Sequence, residues 1–173
     1  MTDTTPGAEP ALPGARPRRP TPLVMGLHPA DFFVPATAVG AVVASGGAYY
    51  TVTVEGAVPA ATAFSAWHGL LGWAGVVLMV AAGAVVAAGL VGIVALVPAR
   101  SAALCVCLAA AACTLASYVV TPGDLCADLV YLDGDCAGAV VGRGPGFTRT
   151  LIATGGGAFV ALYWHLVDRR RRA

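Results

Sequence analysis

The sequence predicts an all-α integral membrane protein: a compact bundle of four transmembrane helices with both termini in the cytoplasm. Hydrophobic residues make up 58% of the 173 positions, charged residues make up 11%, and the mean hydropathy is +0.78. A soluble domain carries about a quarter charged residues. The chain has too little polar surface for a soluble enzyme, a nucleic-acid-binding domain or a disordered chain, which leaves an integral membrane protein.

Residues 1–24 are predicted to form a disordered cytoplasmic tail ahead of a transmembrane domain at 25–173. The first 22 residues hold six of the twelve prolines. Proline interrupts helices because it lacks a backbone N–H. No apolar stretch follows the basic residues of the tail before Pro20 and Pro22, so the tail does not resemble a signal peptide.

Four apolar segments follow the tail, and each is long enough to cross the hydrocarbon core, which takes about 20 helical residues. They predict spans at about 32–54, 67–97, 101–121 and 149–167. The segments lack the apolar-polar alternation of barrel strands, so helices are expected. Pro98-Ala99-Arg100 is the predicted turn between the second and third spans. Residues 122–148 form the longest and most polar connection.

The arginines indicate the orientation. An even number of spans places both termini on one side, together with eight of the ten arginines: Arg16, Arg18, Arg19, Arg100 and Arg169 to Arg172. The opposite side holds Arg143 and Arg149. The positive-inside rule therefore predicts cytoplasmic termini and an extracytoplasmic loop at 122–148. The expected location is a bacterial cell membrane, with the chain crossing it several times.

Small residues at four-residue spacing predict close helix packing, because membrane helices associate through small side chains. These stripes are Ala36, Gly40, Ala44 and Ala48 in the first span, Gly83 and Ala87 in the second, Cys105, Ala109, Cys113 and Ser117 in the third, and Ala153, Gly157 and Ala161 in the fourth. Tyr49 and Tyr50 are expected to be interfacial aromatics at the outer end of the first span.

Cys126 and Cys136 lie in the outer loop, ten positions apart. Thiols outside the cytoplasmic membrane are usually oxidised, so a disulfide is predicted. Closing a loop of this size stabilises the fold by roughly 2–3 kcal/mol. The alternative is a redox-active pair, although the two cysteines lack the close spacing that lowers a thiol pKa in exchange centres.

Two polar pairs lie at the inner ends of the first and fourth spans: His28 with Asp31, and His165 with Asp168. They would form one cluster if these spans are neighbours. A metal or proton-handling site is one interpretation of such a cluster. Interfacial polar residues at helix ends are the simpler one, so the sequence assigns no metal, cofactor or catalytic residue.

The outer loop is the expected contact surface for a partner, through Asp124, Asp128, Tyr131, Asp133 and Asp135. The acids lack the spacing of an EF-hand calcium loop. The leading hypothesis is a non-enzymatic accessory or scaffold subunit that contacts a membrane or envelope protein through this loop.

Two alternatives stay open: a thiol–disulfide oxidoreductase that uses Cys126 and Cys136, and a small lipid- or solute-handling transporter. No Asp, Glu, Lys or Arg lies in the middle of a predicted span, which argues against ion-coupled transport. The expected partners are the lipid bilayer, an envelope protein and a second copy of the chain. Nucleic acid is not expected.

Overall fold

The computed structural model describes residues 27–54, 61–122, 125 and 139–172. Most of these residues are helical, and a small antiparallel sheet lies at one end of the helices. The elements in chain order are α1 (Pro29–Ser45), β1 (Tyr50–Val54), β2 (Ala61–Phe64), a short 3-10 helix (Ala66–His68), α2 (Leu70–Leu90), α3 (Leu96–Val119), β3 (Ala139–Arg143) and α4 (Pro145–Arg172).

Three of the four α-helices are long and apolar enough to cross a membrane. They are α2, α3 and the part of α4 from Pro145 to Arg170, whereas α1 is a shorter apolar helix of 17 residues. Among the described residues, α1 packs against α2 and α4, and α3 also packs against α2 and α4. This arrangement is a bundle with each helix beside two others.

The first predicted span is too long. The helix ends at Ser45, and Tyr50–Val54 is the strand β1. Gly46 and Gly47 end the helix, and the sequence Tyr-Thr-Val-Thr-Val that follows is rich in the β-branched residues that favour strands. An apolar segment without charge does not by itself distinguish a buried strand from a helix.

The sheet joins the connection between α1 and α2 to the connection between α3 and α4. The prediction of an all-α chain is therefore wrong in this respect. The strand order is β2-β1-β3, with both pairings antiparallel. β1 follows α1, β2 precedes α2, and β3 precedes α4. The central strand therefore ties the connection after α1 to the connection before α4, which includes part of the predicted outer loop at 122–148.

The connection between α2 and α3 also differs from the prediction. α2 ends at Leu90 and α3 begins at Leu96, so Pro98 lies in the first turn of α3, where its missing N–H costs no helical hydrogen bond. The turn itself is a Schellman motif. The Ile93 N–H donates to the Ala88 carbonyl at 2.9 Å, and the Gly92 N–H donates to the Gly89 carbonyl. Gly92 has a φ of 79°, which favours glycine.

The core between the helices consists mainly of small side chains. It contains Val34, Ala38, Ala41, Met79, Ala82, Val86, Ala103, Cys107, Ala110 and Ala158. The predicted stripes are only partly correct: Gly83 and Gly157 are buried, but Gly40 of α1 and Ala109 of α3 are exposed. In helices this rich in alanine and glycine, several faces carry small residues, and packing against the neighbours selects one of them.

Candidate functional site

The inner end of the bundle, defined here as the end with His28 and Asp168, carries a cluster of charged side chains. His28 is the N-cap residue of α1, and Pro29 occupies the first helical position. The His28 backbone N–H donates to Asp31 Oδ2 at 2.8 Å, as in one half of a capping box. The start of α1 therefore fixes the position of the Asp31 carboxylate.

Asp31 is buried, with 1% of its surface exposed, and it forms an ion pair with Arg100 of α3. Arg100 Nε donates to Asp31 Oδ1 at 2.8 Å, and Arg100 NH2 donates to Asp31 Oδ2. A buried carboxylate is costly unless it is paired, and a two-pronged contact from arginine is the strongest form of pairing. The ion pair therefore holds the inner ends of α1 and α3 together.

Asp168 brings α4 into the same cluster. Its Oδ1 lies 3.3 Å from His28 Nε2, and its Oδ2 lies 3.9 Å from Arg100 NH1. The ring of Trp164, one turn earlier in α4, lies 4.7 Å from the His28 ring between centroids. The structure thus brings together three of the four residues that the sequence singles out here, and it adds Arg100.

A cavity of about 110 Å³ opens beside the cluster. Its lining includes the charged residues Asp31, Arg100, Asp168 and Arg169 and the apolar residues Val34, Val86, Ala103 and Ala161. The fourth predicted residue, His165, also lines this cavity. Ala161 and Asp168 are seven residues apart on α4, which corresponds to about 10 Å along the helix. The cavity therefore has charged and apolar residues in the same lining.

The described residues include no group of three or more His, Cys, Asp or Glu side chains arranged to hold a metal ion. The cluster consists instead of carboxylates paired with a guanidinium and an imidazole. Such an arrangement can hold a charged ligand or a proton, and it can stabilise the bundle.

The opposite end of the bundle, which carries the sheet and is called the outer end below, has a separate core beneath that sheet. Its buried members are Tyr49, Tyr50, Val52, Phe64, Ala66, Leu125 and Phe147. The interfacial role predicted for Tyr49 and Tyr50 is therefore wrong, because both side chains are fully buried. The Tyr49 hydroxyl lies 2.7 Å from Ser117 Oγ of α3, and burial raises the pKa of Tyr49 to about 12.

Arg143 fastens the sheet to α3. Its NH2 donates to the carbonyls of Ser117 at 2.7 Å and Tyr118 at 2.9 Å, and its guanidinium lies 4.9 Å from the centre of the Tyr50 ring. A cation at the carboxyl end of a helix satisfies unpaired carbonyls and interacts favourably with the helix dipole. The contact therefore positions β3 over the end of the bundle.

The predicted partner surface, Asp124, Asp128, Tyr131, Asp133 and Asp135, lies outside the described residues, as do Cys126 and Cys136. The structure does describe the flanks of this segment. Leu125 is 1% exposed and packs into the core beneath the sheet, and Ala139 pairs with Val54 in the β1–β3 ladder. The described residues on either side of 126–138 thus belong to the folded part of the chain.

The cysteines of α3 differ in environment. Cys107 is buried in the helix core, Cys105 is exposed and Cys113 is half-buried. All three are free thiols. Cys107 fills space between helices, as small apolar residues do.

Sequence reasoning missed Arg100 and Arg143 as site residues. The sequence predicts a turn at Arg100, although this is the only charged residue between positions 56 and 123. The isolation of this charge was the signal that could have identified Arg100, because a lone charge between two apolar segments needs a partner. Arg143 carried no comparable signal, since its contacts depend on a strand that the sequence analysis did not predict.

No protein-family model, curated protein or solved structure matches this chain.

Proposed function

We propose that the protein is a four-span, non-enzymatic accessory subunit of a bacterial cell membrane, which presents its outer face to a partner in the cell envelope. The proposal includes α1 as a span. Its 17 residues reach the lower limit of about 17–25 for a crossing helix. Its outward side chains Phe32, Val39 and Val43 are exposed and apolar, which suits contact with lipid.

The charges at the two ends support cytoplasmic termini. Arg100, Arg169 and Arg170 lie at the inner end, and the basic tail at Arg16, Arg18 and Arg19 precedes α1 in the sequence. Arg143 and Arg149 lie at the other end. Cytoplasmic segments carry the excess of arginine in membrane proteins, so the sheet faces the extracytoplasmic side in this proposal.

The observation that carries the proposal is the pairing of β1 with both β2 and β3. Strands from two separate connections form one sheet, and the buried aromatic core beneath it fixes that sheet to the helices. The described residues on either side of the segment 126–138, Leu125 and Ala139, both belong to this folded unit, which supports a role for the segment in recognition. The acids Asp128, Asp133 and Asp135 and the aromatic Tyr131 in that segment provide charge and an anchor for recognition.

The proposed test is photo-cross-linking of the full chain in its native membrane. A benzophenone amino acid replaces Tyr131, and a matched control carries it at Phe159, which is 69% exposed on the apolar outward face of α4. We expect one discrete protein adduct from position 131 that is absent from position 159. The double variant Asp128→Arg, Asp133→Arg should abolish that adduct. Identical adducts from both positions, or none from position 131, would contradict the proposal.

A further inference from the structure

We infer that a groove between α1 and α4 binds an anionic phospholipid, with the lipid phosphate at Arg149 and an acyl chain along the groove. The inference rests on one part of the proposed function, the span α1, and it does not depend on a partner at the outer face. The shape of the groove and the single charge in its lining support it.

The groove follows the seam between α1 and α4 and has a volume of about 520 Å³. Ligand sites in proteins have volumes of about 300–1,000 Å³. Small residues form most of its lining, among them Ala36, Gly40, Ala44 and Ala153. A Cβ added at Gly40 would lie 3.9 Å from the Ala153 Cβ, so α4 leaves space beside this glycine. Ala36 and Ala44 are eight residues apart, about 12 Å along α1. A long apolar groove of this kind suits an acyl chain.

Among the described residues that line the groove, Arg149 is the only charged one. It is exposed, and no residue in the described part of the chain forms an ion pair or hydrogen bond with it. Arg143, the other arginine of the outer end, differs because it donates to the carbonyls at the end of α3. A cation beside lipid is costly without a counter-charge, and a guanidinium binds a phosphate through two parallel hydrogen bonds. The charge of the groove is therefore complementary to a lipid phosphate.

The same charge disfavours a second copy of the chain in the groove. Two copies in one membrane share their orientation, and a two-fold dimer places the same surface of each copy against the other. Such a dimer through the groove would bring the two Arg149 side chains to the same depth at one interface, where like charges repel. A phospholipid instead supplies the opposite charge. A net negative headgroup is favoured over phosphatidylcholine, because choline carries a cation that offsets the phosphate.

The test measures which lipid contacts a tryptophan placed in the groove. The full chain, with its three native tryptophans replaced by phenylalanine, carries Ile152→Trp in the groove or Leu115→Trp on α3. These positions are 68% and 59% exposed, and Leu115 does not line the groove. The chain is reconstituted in phosphatidylcholine vesicles with increasing fractions of dibrominated phosphatidylglycerol or dibrominated phosphatidylcholine, whose bromines quench a tryptophan on contact.

We expect phosphatidylglycerol to bind beside position 152 about fivefold more strongly than phosphatidylcholine, and to show no preference beside position 115. Arg149→Gln should abolish the preference, Arg149→Lys should retain it, and about 1 M salt should weaken it. Gly40→Leu should also reduce it, because the new side chain would occupy the groove. The matched control Gly155→Leu should not, since Gly155 has open space around it and does not line the groove.

Equal binding of the two lipids beside position 152 would overturn the inference. So would quenching there that falls as the protein-to-lipid ratio rises, because a second copy would then occupy the groove. Val39→Trp, at a position that is 66% exposed on α1, tests the span separately. No quenching at position 39 by either lipid would overturn the span and the inference together, whereas quenching at position 39 with equal binding at position 152 would overturn the inference alone.

Discussion

Replacing Arg100 with alanine should destabilise the bundle by about 3 kcal/mol. The change removes both side-chain hydrogen bonds to Asp31, a carboxylate that is 1% exposed. Hydrogen bonds to charged groups contribute about 1.5–3 kcal/mol each, and breaking one side of a buried ion pair costs about 3–5 kcal/mol. The low end applies here because about a fifth of the Arg100 side chain is exposed, so water can partly replace it.

The measurement is the free energy of unfolding in mixed micelles, from denaturant titrations followed by circular dichroism. Asp31→Leu should cost a similar amount, because it leaves Arg100 without its buried carboxylate. The double variant Asp31→Leu, Arg100→Met should lie within about 1 kcal/mol of the original chain, since apolar residues often replace a buried ion pair without loss. Arg149→Ala is the matched control and should change stability by at most about 0.5 kcal/mol.

Two outcomes of that cycle would refute the reasoning. One is a cost below about 1 kcal/mol for both single variants, which would mean that the pair is solvated. The other is a double variant whose cost equals the sum of the single costs, which would mean that the two side chains do not interact.

Three other predictions concern α2, the outer core and the cysteines. Gly75→Ala should lower the free energy of unfolding by about 1–3 kcal/mol, because the new Cβ would contact Thr114 Oγ1 and lie 3.1 Å from the Ala110 carbonyl oxygen. The control Gly155→Ala has open space around the new Cβ and should be nearly neutral in the same unfolding assay. Because burial raises the pKa of Tyr49 above its ordinary value of about 10, the stability that this residue contributes is present below pH 10 and is lost as the pH rises toward 12. Tyr49→Phe should cost about 1 kcal/mol at pH 8 but give a flatter unfolding profile from pH 10 to 12. Cys126 and Cys136 should stay unreactive toward maleimide in intact cells and react after reduction, and mixed disulfides with another protein would instead favour thiol exchange.

The membrane class could be predicted from composition, because a helix that crosses lipid needs apolar residues along its whole length. Twenty or so uncharged residues mark a span whatever their order, so α2, α3 and α4 were recognisable. The ends of the helices were harder to predict from the sequence. The residues from Ser45 to Val54 carry no charge, and the change from helix to strand among them depends on the partner strands β2 and β3.

Only part of the cluster at the inner end could be predicted from the sequence. Equal spacing of His28 with Asp31 and of His165 with Asp168 indicated two polar helix ends, and the packing of α1 against α4 brought His28 to Asp168. The role of Arg100 depended on where the turn after α2 ends. Moving that turn from Pro98–Arg100 to residues 91–95 places Arg100 in α3, where its side chain reaches Asp31.

The most direct test of the account is an engineered cross-link between the two connections that the sheet joins. Thr53 of β1 and Val140 of β3 are register partners and both are exposed. The variant carries cysteines at these two positions and serines at positions 126 and 136. It is expressed in intact cells, and its free thiols are then counted by denaturing maleimide labelling and mass.

We expect about three labels per chain, from Cys105, Cys107 and Cys113, because the new pair forms a disulfide in the oxidising space outside the membrane. The out-of-register control, with cysteines at positions 53 and 141, should give about five. Five labels from the in-register pair as well would contradict the account, since the two connections would then not form one sheet on the outer side.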